Sequence, residues 1–546
     1  MALLKGVPRG QLWSLVGRSP LAGVAVVAAA ACALYARTLG FGFSYVDDDV
    51  LIVEAHQVLA EPASLGRAFA RPYLPVSGGD HAYYRPLVNA SLALDAQRSG
   101  GDPSGYRVTN LVLHALAAAL LLLWLRRCTE APGVALLGAL VFAVHPALSE
   151  AVAWVPGRND SLVTLWALAS WLALMRARAA AGWRWRLAHL AGWLLALLSK
   201  EAAVVLPFAW VLQARWVERR PWREAAPPWL LAGWAIALAI YLTARRLALP
   251  AGWGLAGLSA AGIARAPSLL AGDLGKLALP VRLSVLAVPE DTWRWPGVVA
   301  AGLLLAAFRL PGIRRAQLGF ALVCLLLLIA PSLPASTLLT LETRLYLPAI
   351  AFILVLGEIA RALPARAPVK IGVAAALVLL LGARAWVYSA DFQDRTSFAR
   401  AAVRESPHSS LAHRALGVAM HLQGSVAEAQ REYQAALAED AGEPIAHNNL
   451  AVILMAQGQL AAAEGHLRQE LALNPRYRPA HRNLARVLHA LGRDAEAAPA
   501  WEASLGLGDA DREALAALVA YYQPRDPVRA ARFRALLETG PAARSP

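Results

Sequence analysis

Three consecutive aspartates follow the first long apolar stretch of the chain. They are Asp47, Asp48 and Asp49, in FGFSYVDDDVLIVEA. Carboxylates beside a bilayer are costly to desolvate and repel one another, so the pKa of one rises, while a nearby arginine lowers that of another. A carboxylate in such a setting can take the proton of a hydroxyl group. This run predicts a catalytic site at the membrane surface, and a solvated acidic loop is the alternative.

Other ionisable residues stand at the ends of later apolar stretches, in HAYYRPL, HPALSEAVAWVPGRND, SKEA and LETRLYLP. They are Arg85, His145, Glu150, Arg158, Lys200, Glu201, Glu342 and Arg344. Arginine and lysine bind phosphate groups, and acidic side chains activate hydroxyl nucleophiles. A sugar donor carried on a lipid phosphate would use both kinds of group.

The elements that must position these residues are predicted to cross a membrane. The 546-residue chain is 58% hydrophobic and only 16% charged, which is typical of an integral membrane protein. The net charge of +15 comes from arginine clusters between apolar runs, which favours cytoplasmic loops over nucleic-acid binding. Three scattered cysteines are too few for a disulfide framework or a metal site. Eleven spans are predicted, at about 20–38, 108–125, 132–147, 160–175, 187–199, 202–216, 228–247, 294–308, 317–333, 345–361 and 369–388.

The basic clusters also predict the orientation of these spans. They follow every second crossing, as at Arg126 and Arg127, so these loops and the N-terminus are predicted to be cytoplasmic. The aspartate loop, 39–107, and everything after 388 then lie on the outer side. Segment 267–289 is apolar but interrupted by charges and a proline, so we expect an amphipathic or re-entrant piece rather than another span.

The C-terminal part repeats with a period of 34 residues. Equivalent positions hold His413, His447 and His481; Gly424, Gly458 and Gly492; Ala429, Ala463 and Ala497; and Tyr433, Leu467 and Trp501. This is the tetratricopeptide pattern of paired helices, with small residues where the helices touch. We therefore predict an all-α protein with a membrane domain over 1–390 and a repeat α-solenoid over 391–546, ending in a capping unit from about 512 to 540.

Two asparagines, Asn449 and Asn483, occupy equivalent positions in the repeats. Stacked repeats form a concave surface that commonly binds peptides, and side-chain amides both donate and accept hydrogen bonds. We predict that these two residues bind an acceptor peptide, and a packing or helix-capping role is equally open. The repeated histidines are expected to pack rather than to bind metal, because they lack chelating spacing.

Taken in order, the motifs resemble a known family. YVDDDVLI, YYRPL with GYRVTNLVLHA, HPALSEAVAWVPGRND, SKE and ETRLYLP precede the repeats. This order resembles the multi-spanning protein O-mannosyltransferases that carry tetratricopeptide repeats, and their bacterial relatives, within the membrane-embedded glycosyltransferase class C. The resemblance covers most of the chain. It departs at the loop 56–80, whose RPYLPVSGGD stretch matches nothing mechanistic, and in having only about three full repeats.

The resemblance implies a set of roles. The family's acidic pair falls on Asp47 and Asp48, one of which serves as base or positions the acceptor hydroxyl. The implied donor is a polyprenyl-phosphate sugar, and we expect its phosphate to be bound by Arg158, Lys200 and Arg344. We expect supporting roles in the site for Asp49, Arg85, His145, Glu150, Glu201 and Glu342.

Each role has a structural alternative. The three phosphate-binding candidates could be interfacial anchors whose charges reach lipid headgroups. His145 could simply end a helix before Pro146, and Glu150 could pair with Arg158.

The sequence as a whole predicts an enzyme that moves mannose or another hexose from polyprenyl phosphate to Ser or Thr hydroxyls of exported proteins, which the repeats recruit. The alternatives are a lipid or surface-glycan acceptor, or a non-catalytic membrane-anchored repeat scaffold. A transporter is less favoured because repeated broken helices are not evident. No cofactor is expected, although Mg²⁺ or Mn²⁺ at the three aspartates stays open. The expected location is the bacterial inner membrane, with the repeats in the periplasm.

Overall fold

The structure is a computed structural model that describes most of the chain. The described residues are 19–44, 47–73, 83–180, 182–249, 260–333, 339–508 and 511–539. Every regular element among them is a helix and this part of the chain contains no strand, which confirms the predicted all-α fold. Two compact units divide after Ser406. Residues 74–80 of the RPYLPVSGGD stretch lie outside the described residues.

The first unit holds the apolar helices. Its α-helices of four residues or more are Pro20–Tyr35, His56–Ala60, Ser64–Arg67, Pro86–Ser99, Pro103–Thr129, Pro132–Val144, Glu150–Ala153, Arg158–Ala180, Trp183–Ser199, Leu206–Leu212, Trp222–Ala225, Pro228–Ala248, Ala260–Ala278, Trp295–Ala306, Arg315–Ile329, Tyr346–Ala362, Ala367–Ser389 and Arg395–Glu405.

Within the described residues, seven helices are long and apolar enough to cross a membrane, or eight if one bent pair counts as a single span. The predicted number of eleven is therefore not confirmed. Trp183–Ser199 has 17 residues, which reach only about 25 Å along the helix axis. Trp295–Ala306 has 12 residues. The predicted span 202–216 is helical throughout but changes type twice, from the 3₁₀ segment Glu201–Val205 to the α-helix Leu206–Leu212 and then to the π segment Gln213–Val217. The helix Ala260–Ala278, which begins the uncertain segment 267–289, is not among the candidate spans.

The motif HPALSEAVAWVPGRND forms a sharp, buried bend between two long helices. Helix Pro132–Val144 ends at His145, whose backbone is extended because a proline follows it. The chain then turns by 58° into Pro146–Ala153. At the far end, a Cβ on Gly157 would come within 2.8 Å of the Ala151 Cα, so that close approach requires glycine. The proline and the glycine thus set the two ends of the bend.

The motif GYRVTNLVLHA holds this bend in place. Its Asn110 donates to the Trp154 carbonyl at 3.0 Å. Its Arg107 donates to the carbonyls of Ala153 and Gly42. Both side chains are buried, and they donate to carbonyls of the bend and of the loop at Gly42. The helix Pro103–Thr129 therefore fixes the bend through polar contacts.

Helix Arg395–Glu405 belongs to the first unit, so this unit extends beyond the boundary predicted at residue 390. Its Phe398 is fully buried and lies 6.4 Å from Trp154 and 5.9 Å from Phe392 between ring centroids. Burial of this aromatic cluster stabilises the helix against the membrane unit.

The second unit consists of paired helices with the predicted repeat. The helices are Ser410–Leu422, Val426–Glu439, Ala446–Ala456, Leu460–Leu473, Arg478–Ala490, Asp494–Gly506, Arg512–Tyr522 and Pro527–Thr539. Gly424, Gly458 and Gly492 end the first helix of successive pairs with φ of +80°, +75° and +73°, which glycine adopts without strain. The tetratricopeptide prediction is confirmed.

The repeated histidines tie each helix pair to the preceding turn. Each Nε2 donates to the carbonyl six residues earlier, in the pairs His413 with Pro407, His447 with Ala441 and His481 with Pro475, at 2.9, 3.1 and 2.8 Å. A ring nitrogen committed to a carbonyl supports the packing role over metal binding.

Candidate active site

A cavity of about 220 Å³ lies among the predicted outer motifs of the first unit. Five residues that sequence singled out line it: Asp47, Arg85, Lys200, Glu201 and Arg344. It is also lined by polar and aromatic residues that sequence did not single out: Tyr73, Tyr83, Trp154, Asn159, Asp160 and Thr343. The fold therefore brings an acid and several cations from distant motifs into one space.

Asp47 is the member of the aspartate run that lines the cavity. Burial and, to a smaller extent, the neighbouring charge of Asp48 raise its pKa to about 6 against the lowering effect of Arg85. A carboxylate with this pKa is ionised at neutral pH and is still basic enough to share or accept a proton. Asp47 therefore has the position and the basicity of a general base.

The other two aspartates point to different partners. Asp48 is buried and accepts hydrogen bonds from the Ser44 backbone N–H at 2.7 Å and the Ser44 hydroxyl at 2.9 Å. Burial raises the pKa of Asp48 to about 6 against the lowering effects of Arg107 and these hydrogen bonds. Asp49 pairs with Arg395 at 2.6 Å. Neither lines the cavity. The geometry therefore separates Asp47 from Asp48, its equal in the predicted catalytic pair, and keeps Asp49 outside the cavity as well.

Two cations of the cavity are paired with acids that also line it. Lys200 Nζ lies 2.7 Å from Asp160, and both side chains are largely buried. Arg85 lies 2.6 Å from Glu201. The Arg85 guanidinium also stacks on the Tyr83 ring at 4.4 Å from its centroid. These pairs hold the cations in fixed positions beside Asp47.

Arg344 is the exception among the cavity's cations. Within the described part of the chain its guanidinium forms no ion pair or side-chain hydrogen bond. Asp160 and Asp273 lie near enough for the charge of Arg344 to act on them, but neither forms an ion pair with it. A half-buried cation that is not held in an ion pair can attract an anion. It is therefore the strongest candidate to hold a phosphate.

Arg158 is not brought to the cavity. It is fully buried, and its guanidinium pairs with Asp95 at 2.5 Å and donates to Asn110 at 3.0 Å and to the Tyr106 carbonyl at 2.9 Å. The alternative pair with Glu150 is not formed either. The buried guanidinium has protein partners on its several faces, so its placement fits a structural role and not the predicted phosphate contact.

Replacing Arg158 with leucine is expected to destabilise the protein by about 3–5 kcal/mol, because Asp95 would keep a buried charge without its partner. Thermal unfolding in detergent measures this loss. The double variant Arg158→Leu with Asp95→Leu should recover much of the stability, since it removes both charges. A fully stable single variant that has lost donor binding would instead restore the phosphate role.

Three other predicted residues lie behind the cavity wall. Glu150 accepts a hydrogen bond from the Thr343 N–H at 2.7 Å. Glu342 pairs with the buried Lys276 at 2.8 Å. His145 donates through Nε2 to the Leu277 carbonyl at 3.0 Å. These contacts hold the segment that carries Arg344 and the helix next to it, so we interpret all three as positioning residues.

Several residues of the site escaped the sequence reasoning. Asp160, Asn159 and Trp154 belong to the quoted HPALSEAVAWVPGRND motif but do not differ from loop residues until the bend is known. Lys276 interrupts an apolar segment, and a lysine there needs a partner. The need of this lysine for an acidic partner could have predicted its ion pair with Glu342.

The aspartate run does not offer a shared set of metal ligands. Its three side chains face the cavity, Ser44 and Arg395 respectively. Across the described ranges there is no cluster of three or more His, Cys, Asp or Glu residues suited to a metal ion. The three carboxylates are therefore not arranged as one shared set of ligands for a divalent cation.

The two repeat asparagines have different environments. Asn483 is buried, and its amide donates to Asn448 at 2.9 Å. Asn448 in turn donates to the half-buried Asn449 at 3.3 Å. The amides form a chain across adjacent repeats through Asn448, a residue that the period did not indicate. Asn449 is the member of this chain that keeps side-chain exposure for a peptide.

Together these features describe a multi-pass membrane protein with tetratricopeptide repeats and a cavity that is lined by acids and cations. Comparison with known proteins shows which families parts of the chain resemble. Residues 80–246 match the family model described as dolichyl-phosphate-mannose-protein mannosyltransferase. Residues 395–444, 423–477 and 448–512 match a tetratricopeptide repeat model.

Individual relatives confirm the resemblance over part of the chain. Protein O-mannosyl-transferase Tmtc1 of Drosophila melanogaster is 34% identical over 198 residues, which are 36% of this chain and 23% of the relative. Protein O-mannosyl-transferase TMTC4 of Homo sapiens is 33% identical over 169 residues, 28% of this chain and 22% of the relative. The matched stretch thus spans less than a quarter of either relative. The solved Pseudomonas aeruginosa pilF structure is 26% identical, with 27% of this chain and 67% of that chain covered, at a TM-score of 0.25.

Proposed function

We propose that the chain is a membrane glycosyltransferase of class C that moves a hexose, mannose first among the candidates, from a polyprenyl-phosphate donor to Ser or Thr hydroxyls of exported proteins. The observation that carries this proposal is one cavity that contains both the carboxylate of Asp47 and the unpaired cation of Arg344. The similarity to protein O-mannosyltransferases supports the sugar and the acceptor class.

The proposed reaction is a displacement at the anomeric carbon of the donor sugar. The acceptor hydroxyl oxygen forms a bond to this carbon while Asp47 takes the hydroxyl proton. The bond between the anomeric carbon and the phosphate oxygen breaks, and the oxygen keeps the electron pair. Arg344 and Lys200 stabilise the charge that develops on the leaving phosphate. The products are a glycosylated side chain and polyprenyl phosphate.

The paired residues of the cavity have supporting roles in this mechanism. Asp160 holds the Lys200 ammonium in place at 2.7 Å. Glu201 holds Arg85, whose charge limits the rise in the pKa of Asp47. A base preorganised in this way needs little rearrangement at the moment of reaction.

The repeats are proposed to recruit the acceptor protein, with Asn449 as the accessible amide for a peptide backbone. The membrane is proposed to be the bacterial inner membrane, with the aspartate loop and the repeats in the periplasm. Donor and acceptor would then meet on the outer side.

The pH dependence of transfer is expected to follow Asp47. Because the pKa of Asp47 is raised to about 6, the base is protonated below that pH and ionised above it. The kcat/KM for transfer should fall about tenfold for each pH unit below 6 and level off above 7. A profile measured with purified protein between pH 4.5 and 8.5 checks this.

Asp48→Asn provides the control for this assignment. The charge of Asp48 contributes to the raised pKa of Asp47, so the acid limb of the profile should move to lower pH in this variant. An acid limb that does not move would contradict the assignment to Asp47.

Sugar transfer by the purified protein tests the function itself. The protein would be supplied in detergent with polyprenyl-phosphate-mannose and a pool of peptides from exported proteins, and mass spectrometry would locate a hexose on Ser or Thr. A hexose on a lipid or glycan acceptor supplied in parallel, with none on peptides, would replace the protein acceptor. No transfer to any acceptor from several hexosyl donors would favour a scaffold.

A further inference from the structure

The repeat unit contains a cavity of its own, with a volume of about 140 Å³. It lies between helix Asp494–Gly506 and helix Arg512–Tyr522, the first helix of the capping pair. Ala497, Ala498 and Trp501 line it and are buried, so they form its inner wall. The residues that line the cavity and are exposed are His489, Asp494, Ala520 and Arg525, so it opens to the surface of the unit.

Two alanines of the capping pair leave room for this cavity. Ala517 and Ala520 line it, and the positions 34 residues earlier hold the larger Asn483 and Arg486. Side chains of that size at 517 and 520 would occupy part of the space. Equivalent positions of stacked repeats face the same way, so the opening lies on the face that carries the amide chain in the preceding repeats.

The size and walls of the cavity fit one aromatic side chain. An apolar cavity of about 150 Å³ holds one benzene molecule, so a cavity of about 140 Å³ admits the ring of a phenylalanine. The rings of Trp501 and Tyr521 and the methyl groups of the alanines provide the apolar surface against which such a ring packs.

The rim of the cavity carries one cation that is not held in an ion pair. His489 Nδ1 lies 2.6 Å from the Asp494 carboxylate, so these two groups are partners. The Arg525 guanidinium lies 4.4 Å from the centroid of the Tyr521 ring and donates to the Tyr521 carbonyl at 2.9 Å. Among the described residues it forms no ion pair with an acid. A carboxylate is the complement of this guanidinium.

We propose that the cavity binds one aromatic side chain of an acceptor peptide, and that Arg525 binds an adjacent carboxylate of the same peptide. This inference rests on the proposed function and deepens it, because it states what a recruited acceptor carries besides Ser or Thr. Asn449, on the first helix of an earlier pair, would hold the backbone of a peptide that continues along the solenoid to the cavity.

Binding of short peptides to the full chain in detergent tests this inference. The probes consist of Gly, Ser and Thr and differ only in one central pair, which is Phe-Glu, Ala-Glu or Phe-Lys. Isothermal titration calorimetry should show that Phe-Glu binds at least about tenfold more tightly than Ala-Glu, because its ring leaves water. It should bind about threefold more tightly than Phe-Lys, as expected for an ion pair at an exposed arginine.

Two variants of the cavity and two matched controls locate the binding site. Ala520→Leu narrows the mouth and should remove the preference for Phe-Glu over Ala-Glu. Arg525→Glu should reverse the charge preference, so that Phe-Lys binds more tightly than Phe-Glu. Ala516→Leu and Arg532→Glu change an exposed alanine and an exposed arginine that do not line the cavity, and they should bind the peptides as wild type does.

The same peptides separate this inference from the proposed function. A wild type that binds all three peptides equally, or none of them, overturns the inference, and so does Ala520→Leu with an unchanged preference for Phe-Glu. If that preference is present and Ala520→Leu removes it, the cavity is supported as a peptide site even when no sugar is transferred. If the protein transfers mannose to Phe-Glu and Ala-Glu peptides with equal KM, the function stands and the inference is overturned.

Discussion

Replacing Asp47 with asparagine is expected to lower the rate of sugar transfer about 10²–10⁴-fold. Asp47 is the carboxylate of the aspartate run that lines the cavity, and an amide cannot accept the acceptor's proton. The initial rate, measured with saturating donor and peptide, should fall while donor binding changes little, because the base acts on the acceptor hydroxyl. A change in KM with an unaffected kcat would instead assign Asp47 to donor binding.

The neighbouring aspartates provide matched controls in the same loop. Asp49→Asn weakens the pair with Arg395, and Asp48→Asn weakens the acceptor of the Ser44 hydrogen bonds. Both variants should lose stability more than catalysis, with transfer within about tenfold of wild type when the folded fraction is equal. An inactive but folded Asp48→Asn beside an active Asp47→Asn would make Asp48 the base.

The second large effect is expected at Arg344. Arg344→Ala should lower kcat about 10²–10³-fold, because the charge that develops on the leaving phosphate loses its unpaired cation. Donor affinity should fall as well, since the phosphate is charged before the reaction too. Single-turnover kinetics with pre-bound donor separate the two effects.

Two variants make this prediction specific. Arg344→Lys keeps the charge but loses the planar fork, so it should restore part of the rate. Arg294→Ala removes an exposed arginine that donates to the Pro289 carbonyl at 3.0 Å and does not line the cavity, and it should be neutral. Equal losses in Arg344→Ala and Arg294→Ala would show a general effect of surface charge. Arg344→Ala with wild-type kinetics would contradict the phosphate role.

The sequence predicted the parts of the molecule that depend on local periodicity. The 34-residue repeat required paired helices and a glycine in the left-handed region at Gly424, Gly458 and Gly492, and both are present. Apolar composition predicted the membrane helices. The count of eleven is not confirmed, because hydropathy does not show how long each helix is, and Trp183–Ser199 has only 17 residues.

The candidate site was only partly predictable, because its members meet through tertiary contacts. Lys200 and Arg344 were found as cations at helix ends, and the cavity contains both. Arg158 has the same sequence features, yet it pairs with Asp95, which lies on a different helix and carried no signal of its own. Asp47, Asp48 and Asp49 are adjacent in sequence, and only their separate partners distinguish them.

A structure of the protein with bound polyprenyl-phosphate-mannose tests the central claim most directly. We expect the donor phosphate to lie within hydrogen-bond distance of Arg344 and Lys200. The anomeric carbon should face the Asp47 carboxylate across a gap that admits a hydroxyl group. A donor phosphate bound away from this cavity, or a sugar on the far side from Asp47, would contradict it.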